Sequence, residues 1–307
     1  MNIVFLGYGE YGAASLSGLS KNSNISIELV VTHPKKNCVG DNDVSDFAKS
    51  KNIPYLESKK LTESLVRQAI ESCEPDVIVS TNWRYKIPKE IFSLARLGTL
   101  NIHDALLPKY GGLSAEQWVI LNGESETGVT VHLVTDQMDT GPIVNQVSFE
   151  VFPLDTAETI ALKQLEIYPV IISEAIKKLS NPDFMAKEVK ITDCYRFHSL
   201  TELDAKLKFS SSPEMIRRQM RAWAGKFGGC WLSVSNERFY ISEFEFPEMV
   251  LSGEPGRVLT HSQEGVWVVT GVCPVTGQSG VIIKELRTEN GTVIDAKSIL
   301  PWGCQLV

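Results

Sequence analysis

Between residues 100 and 144 the chain concentrates side chains that can do chemistry. It reads L-N-I-H-D-A-L-L-P-K-Y-G-G, then an amphipathic run, then T-G-V-T-V-H-L-V-T-D-Q-M-D-T-G-P-I-V. Residues 99–102 are a short apolar run broken by Asn101 and followed by His103. On a strand, side chains two apart share a face. The Asn101 amide and the His103 imidazole therefore project side by side where the strand ends, the place at which open α/β sheets hold ligands. Residues 129–134 alternate as a second strand, and Asp136 and Asp139 follow in a loop closed by Gly141-Pro142. A carboxylate delivered from that loop orients His103 and favours its charged form.

Amide, imidazole and carboxylate make a set suited to acyl transfer. The amide and a protonated imidazole stabilise a tetrahedral oxyanion, and the imidazole–carboxylate pair moves the proton. No nucleophilic Ser or Cys is needed when the acceptor brings its own amine. Taken singly, a strand-end Asn, a solvated His and a turn Asp each have an ordinary structural explanation. The combination and its spacing carry the functional reading.

The rest of the chain has to position these groups. Residues 2–6 form a buried strand running into G-Y-G-E-Y-G, with Gly7, Gly9 and Gly12 in G-x-G-x-x-G spacing. A dinucleotide site also requires an acid at the end of the second strand. The second strand, residues 27–31, ends instead in Thr32-His33-Pro34, and Glu28 lies inside it. The glycines are therefore read as a strand–turn–helix junction, with an NAD-binding oxidoreductase as the alternative of a different class. Residues 35–43 read as a mobile loop, residues 43–50 and 62–72 as helices (the second capped by Thr62), and residues 77–80 as a buried strand. Residues 81–88, T-N-W-R-Y-K-I-P, leave that strand as a loop with an aromatic and basic pair. Residues 114–121 are a helix. Residues 144–151 return as an antiparallel hairpin partner of residues 129–134. A long helix to about residue 179 is capped by Asp155 or Thr156, with Ile160, Leu162, Leu165, Ile172 and Ile176 as its apolar row. Strands alternating with helices give an α/β fold, a Rossmann-type and mostly parallel sheet.

Beyond it, residues 184–212 are polar with little periodicity and read as a linker. Residues 213–222 form a basic helix, and from Cys230 onward five short strands punctuated by Gly and Pro give a small C-terminal β-barrel. The division is thus 1–183, linker 184–212 and 213–307. A formal charge of −7 disfavours a nucleic-acid partner. There is neither a secretory leader pattern nor an apolar run long enough to span a bilayer, which predicts a cytoplasmic protein with no membrane partner. The cysteines (Cys38, Cys73, Cys194, Cys230, Cys273, Cys304) are widely spaced and read as reduced thiols, with no metal site.

The run N-I-H-D-A-L-L-P-K-Y, with Asp139 in M-D-T-G downstream, resembles the formyltransferases that use 10-formyltetrahydrofolate. Their motif, N-x-H-x-S-L-L-P with a later D-T/A-G, falls on Asn101, His103, Leu106, Leu107, Pro108 and Asp139. The stretch P-G-R-V-L…G-V-W-V-V-T-G resembles the OB-like C-terminal barrel of the tRNA and arabinose members. The resemblance implies Asn101, His103 and Asp139 as catalytic residues and 10-formyltetrahydrofolate as co-substrate. It further implies folate contacts, mostly through backbone groups, at Tyr85, Lys86, Ile87, Thr135, Asp136 and Met138. Three departures bear on the acceptor. Asp104 and Ala105 stand where the family has Gly or Ala and then Ser. Lys109-Tyr110-Gly111-Gly112 loses the arginine of K-Y-R-G. The basic loop of the tRNA enzymes is short here, at residues 35–42. With H-D-x-L-L-P-K-Y-x-G and N-W-R before Ile87-Pro88, the chain is most similar to the hydroxyornithine-type members. The implied acceptor is a small-molecule amine or hydroxylamine, N5-hydroxyornithine in siderophore biosynthesis first, a nucleotide-linked amino sugar next, methionyl-tRNA last. Asp104 and Tyr110 are its expected contacts.

Overall fold

The computed structural model describes residues 1–34 and 43–306. The loop expected at residues 35–43, including the segment where tRNA enzymes carry their basic insertion, lies outside the described residues over 35–42. The chain forms two compact units. The first comprises Met1–Ala115, Ser125–Val151 and Ile160–His198, the second Glu116–Glu124, Phe152–Thr159 and Ser199–Val307. The stretch expected as a linker thus contributes its first part to the first unit.

The strands of the first unit are β1 (Asn2–Gly7), β2 (Ser26–Thr32), β3 (Tyr55–Glu57), β4 (Val77–Thr81), β5 (Gly98–His103), β6 (Gly111–Gly112), β7 (Glu126–Leu133), β8 (Ile143–Glu150) and β9 (Arg196–Phe197). The helices up to this point of the chain are α1 (Gly9–Ser20), α2 (Asp43–Ser50), α3 (Ser64–Ser72), α4 (Lys89–Phe92), α5 (Ala115–Asn122) and α6 (Ala157–Leu179). The main sheet runs β3-β2-β1-β4-β5-β7-β8. Its first five strands in that order pair in parallel, β7 adds antiparallel to β5, and β8 adds antiparallel to β7.

Both faces of this sheet are covered, as near-continuous apolar strands require. Phe5, Val77, Val79, Leu100, Ile102, Val129 and Val131 pack with α1 and α6 through Leu16, Tyr168 and Ile172. Val4, Leu6 and Ile78 face the other way, with Val66, Ile70, Ile87 and Ile91. The alternation along β5 buries Leu100 and Ile102 on the α1/α6 face and turns Asn101 and His103 to the opposite one. The glycine run is a packing junction: a Cβ on Gly7 would lie 2.7 Å from the Thr81 carbonyl oxygen, and one on Gly12 2.6 Å from a Val44 methyl. The apolar row expected on α6 is partly displaced. Ile160, Ile172 and Ile176 are buried, but Leu162 is 55% exposed, because the face that packs runs through Ala161, Tyr168, Ile171 and Ala175.

In the second unit α7 (Pro213–Ala222) is capped by Ser212, whose hydroxyl accepts the Met215 N–H. The strands β10 (Trp231–Val234), β11 (Glu237–Glu245), β12 (Val258–His261), β13 (Val266–Val268), β14 (Val281–Arg287) and β15 (Val293–Asp295) form one antiparallel sheet. Its order β10-β11-β14-β13-β12 leaves β10 and β12 at the two edges, so the expected barrel is a curled half-barrel.

Candidate active site

β5 lies between β4 and β7, and its register with β7 decides what Asn101 and His103 meet. Asn101 is opposite His132, and His103 is opposite Thr130. The Asn101 amide nitrogen sits 3.2 Å from His132 Nε2. His132 Nδ1 lies 2.9 Å from the Leu133 carbonyl. A carbonyl only accepts, so Nδ1 carries the hydrogen and Nε2 of the neutral ring accepts from the amide. Among the described residues Asn101 makes no other side-chain hydrogen bond, which leaves its second amide hydrogen for a ligand.

Asp139 completes the group. Its loop returns from β7 with Asp139 at φ +56°, and its side chain is buried between the two imidazoles. Oδ2 accepts the Gly112 N–H at 2.8 Å and lies 3.9 Å from His103 Nδ1. Oδ1 lies 3.5 Å from His132 Nε2. Burial alone would push the Asp139 carboxyl up. The charge of His103 and the hydrogen bond from the Gly112 amide act against it, and the carboxyl is held well below the usual carboxylate range. The other His103 nitrogen, Nε2, donates to the Tyr110 carbonyl at 2.7 Å. His103 is thus anchored through Nε2, while its Nδ1 faces the Asp139 carboxylate across 3.9 Å.

The loop after β5 is held by Thr130. Its hydroxyl donates to the Ala105 carbonyl at 2.6 Å and accepts from Leu107 N–H at 3.1 Å and Gln146 Nε2 at 2.8 Å. Gln146 Nε2 also reaches the Leu107 carbonyl at 2.9 Å.

The structure brings Asn101, His103 and Asp139 together and adds His132. Sequence reasoning read His132 only as part of an alternating strand. Its polar character within V-T-V-H-L-V was the available signal, and its partner became visible only with the β5–β7 register. Asp104 is placed elsewhere. Its Oδ1 accepts from the Tyr168 hydroxyl, and its carbonyl accepts from Gln164 Nε2 at 2.7 Å. Tyr168 belongs to the α1/α6 core, so Asp104 turns away from the face that carries His103. Tyr110 is 7% exposed, stacked on Phe197, and offers the site its carbonyl. Tyr85 and Lys86 are exposed, whereas Ile87 is buried in the core. In the loop after β7 Asp136 and Met138 are exposed, and Thr135 Oγ1 donates to the Gln137 carbonyl at 3.0 Å.

A further cluster at the carboxyl ends of β1, β2 and β4 escaped the sequence reading. His33, 1% exposed, stacks on Trp83 at 4.0 Å, with the rings of Tyr8 and Tyr85 edge-on at 5.2 and 5.5 Å. Burial pushes the His33 imidazole down, and the charges of Arg84 and Lys59 act in the same direction.

Residues 1–176 match the formyl transferase family and residues 199–301 the formyl transferase C-terminal domain. The methionyl-tRNA formyltransferase of Thermotoga maritima is 30% identical over 277 residues, covering 88% of this chain and 87% of that one. Among solved structures, WlaRD, a sugar 3N-formyl transferase determined in the presence of dTDP and 5-N-formyl-THF, aligns with TM-score 0.68 and 19% identity over 95% of this chain and 99% of that one. The N-formyltransferase of Helicobacter canadensis, in complex with folinic acid and dTDP-3-aminofucose, aligns with TM-score 0.66 and 18% identity over 92% and 98%. With both halves of the family matched in order, the chain belongs to the formyl transferase family.

Proposed function

We propose that the protein moves the formyl group of 10-formyltetrahydrofolate to the nitrogen of a small-molecule amine or hydroxylamine, and that an N5-hydroxyornithine-like acceptor in siderophore biosynthesis is its substrate. The observation that carries the chemistry is the Asp139 carboxylate set between His103 and His132, with Asn101 across from His132. In the transfer a bond forms between the acceptor nitrogen and the formyl carbon, and the bond from that carbon to N10 breaks. The acceptor nitrogen loses a proton and N10 gains one. The free Asn101 amide hydrogen and the charged His103 ring stabilise the negative charge that builds on the formyl oxygen. Asp139, ionised throughout the neutral range, keeps His103 oriented and balances its charge as the proton moves. The folate is held along the backbone of Tyr85, Lys86 and Ile87 and of Thr135, Asp136 and Met138. The side-chain placements of Ile87 and Thr135 fit that reading, since one is buried and the other is tied to its own loop.

A net charge of −7 and a sequence pI of about 5.4 favour a small acceptor over a polyanion. The similarity to a methionyl-tRNA formyltransferase favours a second reading, with tRNA as acceptor. The deciding experiment supplies 10-formyltetrahydrofolate with N5-hydroxyornithine, nucleotide-linked amino sugars or methionyl-tRNA, and identifies the formylated product by mass spectrometry. Efficient formylation of N5-hydroxyornithine supports the proposal. Efficient formylation of methionyl-tRNA with steep salt dependence replaces it by the second reading.

A further inference from the structure

A two-residue strand far downstream of the catalytic residues grips both loops that hold them. β9 pairs in parallel with β6, Gly111 opposite Arg196 and Gly112 opposite Phe197. Backbone hydrogen bonds extend the contact: Gly111 N–H to the Tyr195 carbonyl at 2.9 Å, Leu113 N–H to the Phe197 carbonyl at 3.2 Å, and Tyr195 N–H to the Pro108 carbonyl at 3.2 Å. The Phe197 ring stacks on Tyr110, with centroids 4.8 Å apart and planes 11° from parallel. Arg196 donates to the Met138 carbonyl at 2.7 Å, one residue before Asp139.

These contacts converge on His103 and Asp139. The Tyr110 ring that Phe197 holds belongs to the residue whose carbonyl accepts from His103 Nε2. The Gly112 amide opposite Phe197 is the one that donates to Asp139 Oδ2. A Cβ on Gly112 would come 2.2 Å from the Phe197 carbonyl oxygen, so the absence of a side chain there is what lets the strand approach. Tyr110 and Asp139 both adopt left-handed backbone, at φ +59° and +56°. Such conformations persist only where surrounding contacts enforce them, and β9 supplies contacts to both loops.

We propose that Arg196 and Phe197 are positioning residues for formyl transfer: Phe197 fixes the Tyr110 carbonyl that orients His103, and Arg196 fixes the loop that presents Asp139. The inference rests on the formyltransferase reading of His103 and Asp139. Displacing a catalytic group by about 1 Å costs on the order of 10²-fold. A side chain that acts through another should therefore lower kcat by about tenfold to hundredfold and leave folate binding within about threefold.

The test uses the full chain with Phe197→Ala, Phe197→Tyr, Arg196→Ala and Arg196→Lys. Long-range 15N–1H spectra of 15N-histidine-labelled protein report which nitrogen of each imidazole carries the proton, with His103 assigned through His103→Gln. In the unaltered protein His103 is expected as the Nε2–H form when neutral. In Phe197→Ala and Arg196→Ala its signals should move toward an exchanging mixture of tautomers while those of His33 and His261 stay in place. Phe197→Tyr and Arg196→Lys should restore the original signals and most of kcat. Because Arg196 is exposed, its substitution keeps the fold, and thermal unfolding verifies this for each variant. Unchanged His103 signals in both alanine variants would overturn the proposal. These spectra need no acceptor, so a failure to formylate N5-hydroxyornithine would count against the proposed acceptor and leave this test standing.

Discussion

Asn101 and His132 meet across β5 and β7, the amide nitrogen 3.2 Å from the imidazole Nε2. Because His132 Nδ1 is committed to the Leu133 carbonyl, Nε2 of the neutral imidazole takes one hydrogen of the Asn101 amide, and the second hydrogen on that nitrogen has no side-chain partner among the described residues. His132→Ala should let the amide turn and cost about tenfold to hundredfold in kcat, with little change in folate affinity. His132→Gln, which can offer an acceptor in the same place, should recover part of the loss. Steady-state kinetics with both variants checks this. Equal activity of all three proteins would show that His132 is a core residue only.

Asp139→Asn should keep the fold. Asn tolerates left-handed backbone and can still accept from Gly112 N–H. It removes the charge between the imidazoles, so most activity should be lost. The stability effect has a defined pH sense. The native carboxyl is held below its unfolded value of about 3.9. Its contribution is therefore full above that pH and is lost as pH falls through the lower native value. The stability gap between the two proteins, from denaturant unfolding, should be widest above about pH 4 and narrow below it. A gap that widens on acidification would contradict the assignment.

Thr130→Val keeps the shape of the side chain and removes the hydroxyl that joins Ala105, Leu107 and Gln146. Each buried group left without a partner costs about 1–3 kcal/mol. A loss of about 2 kcal/mol or more in unfolding free energy is expected, with kcat falling because the loop after His103 loosens. Wild-type stability would mean that water replaces the hydroxyl without cost.

Gly112→Ala tests the close approach of β9. The new methyl would meet the Phe197 carbonyl oxygen at 2.2 Å, on a residue at φ +102°. Backbone strain of this kind costs about 1–3 kcal/mol. Reduced stability together with weakened activity should follow, measured by thermal unfolding and turnover.

Much of the site could be read in advance because its signals are local. The period of two along a strand placed Asn101 and His103 together, and the turn residues around Asp139 marked its loop. What escaped was set by pairings between distant parts of the chain. His132 acquires meaning only opposite Asn101. Asp104 looked open to an acceptor until α6 brought Tyr168 to it. Arg196 and Phe197 sit in a polar stretch with no periodicity, because two residues of strand are too few to show one. The short strands β3 and β15 escaped for the same reason, and the position of Leu162 on α6 was misread because the packed face of that helix is set by α1.

The most direct test of the central claim compares kcat and folate dissociation constant for the unaltered protein, Asn101→Ala and His103→Ala with 10-formyltetrahydrofolate and the acceptor identified in the screen. Each variant should lose on the order of 10²–10³ in kcat, as for removal of one oxyanion donor, while binding the folate almost as before. Near wild-type turnover in both variants would contradict that claim.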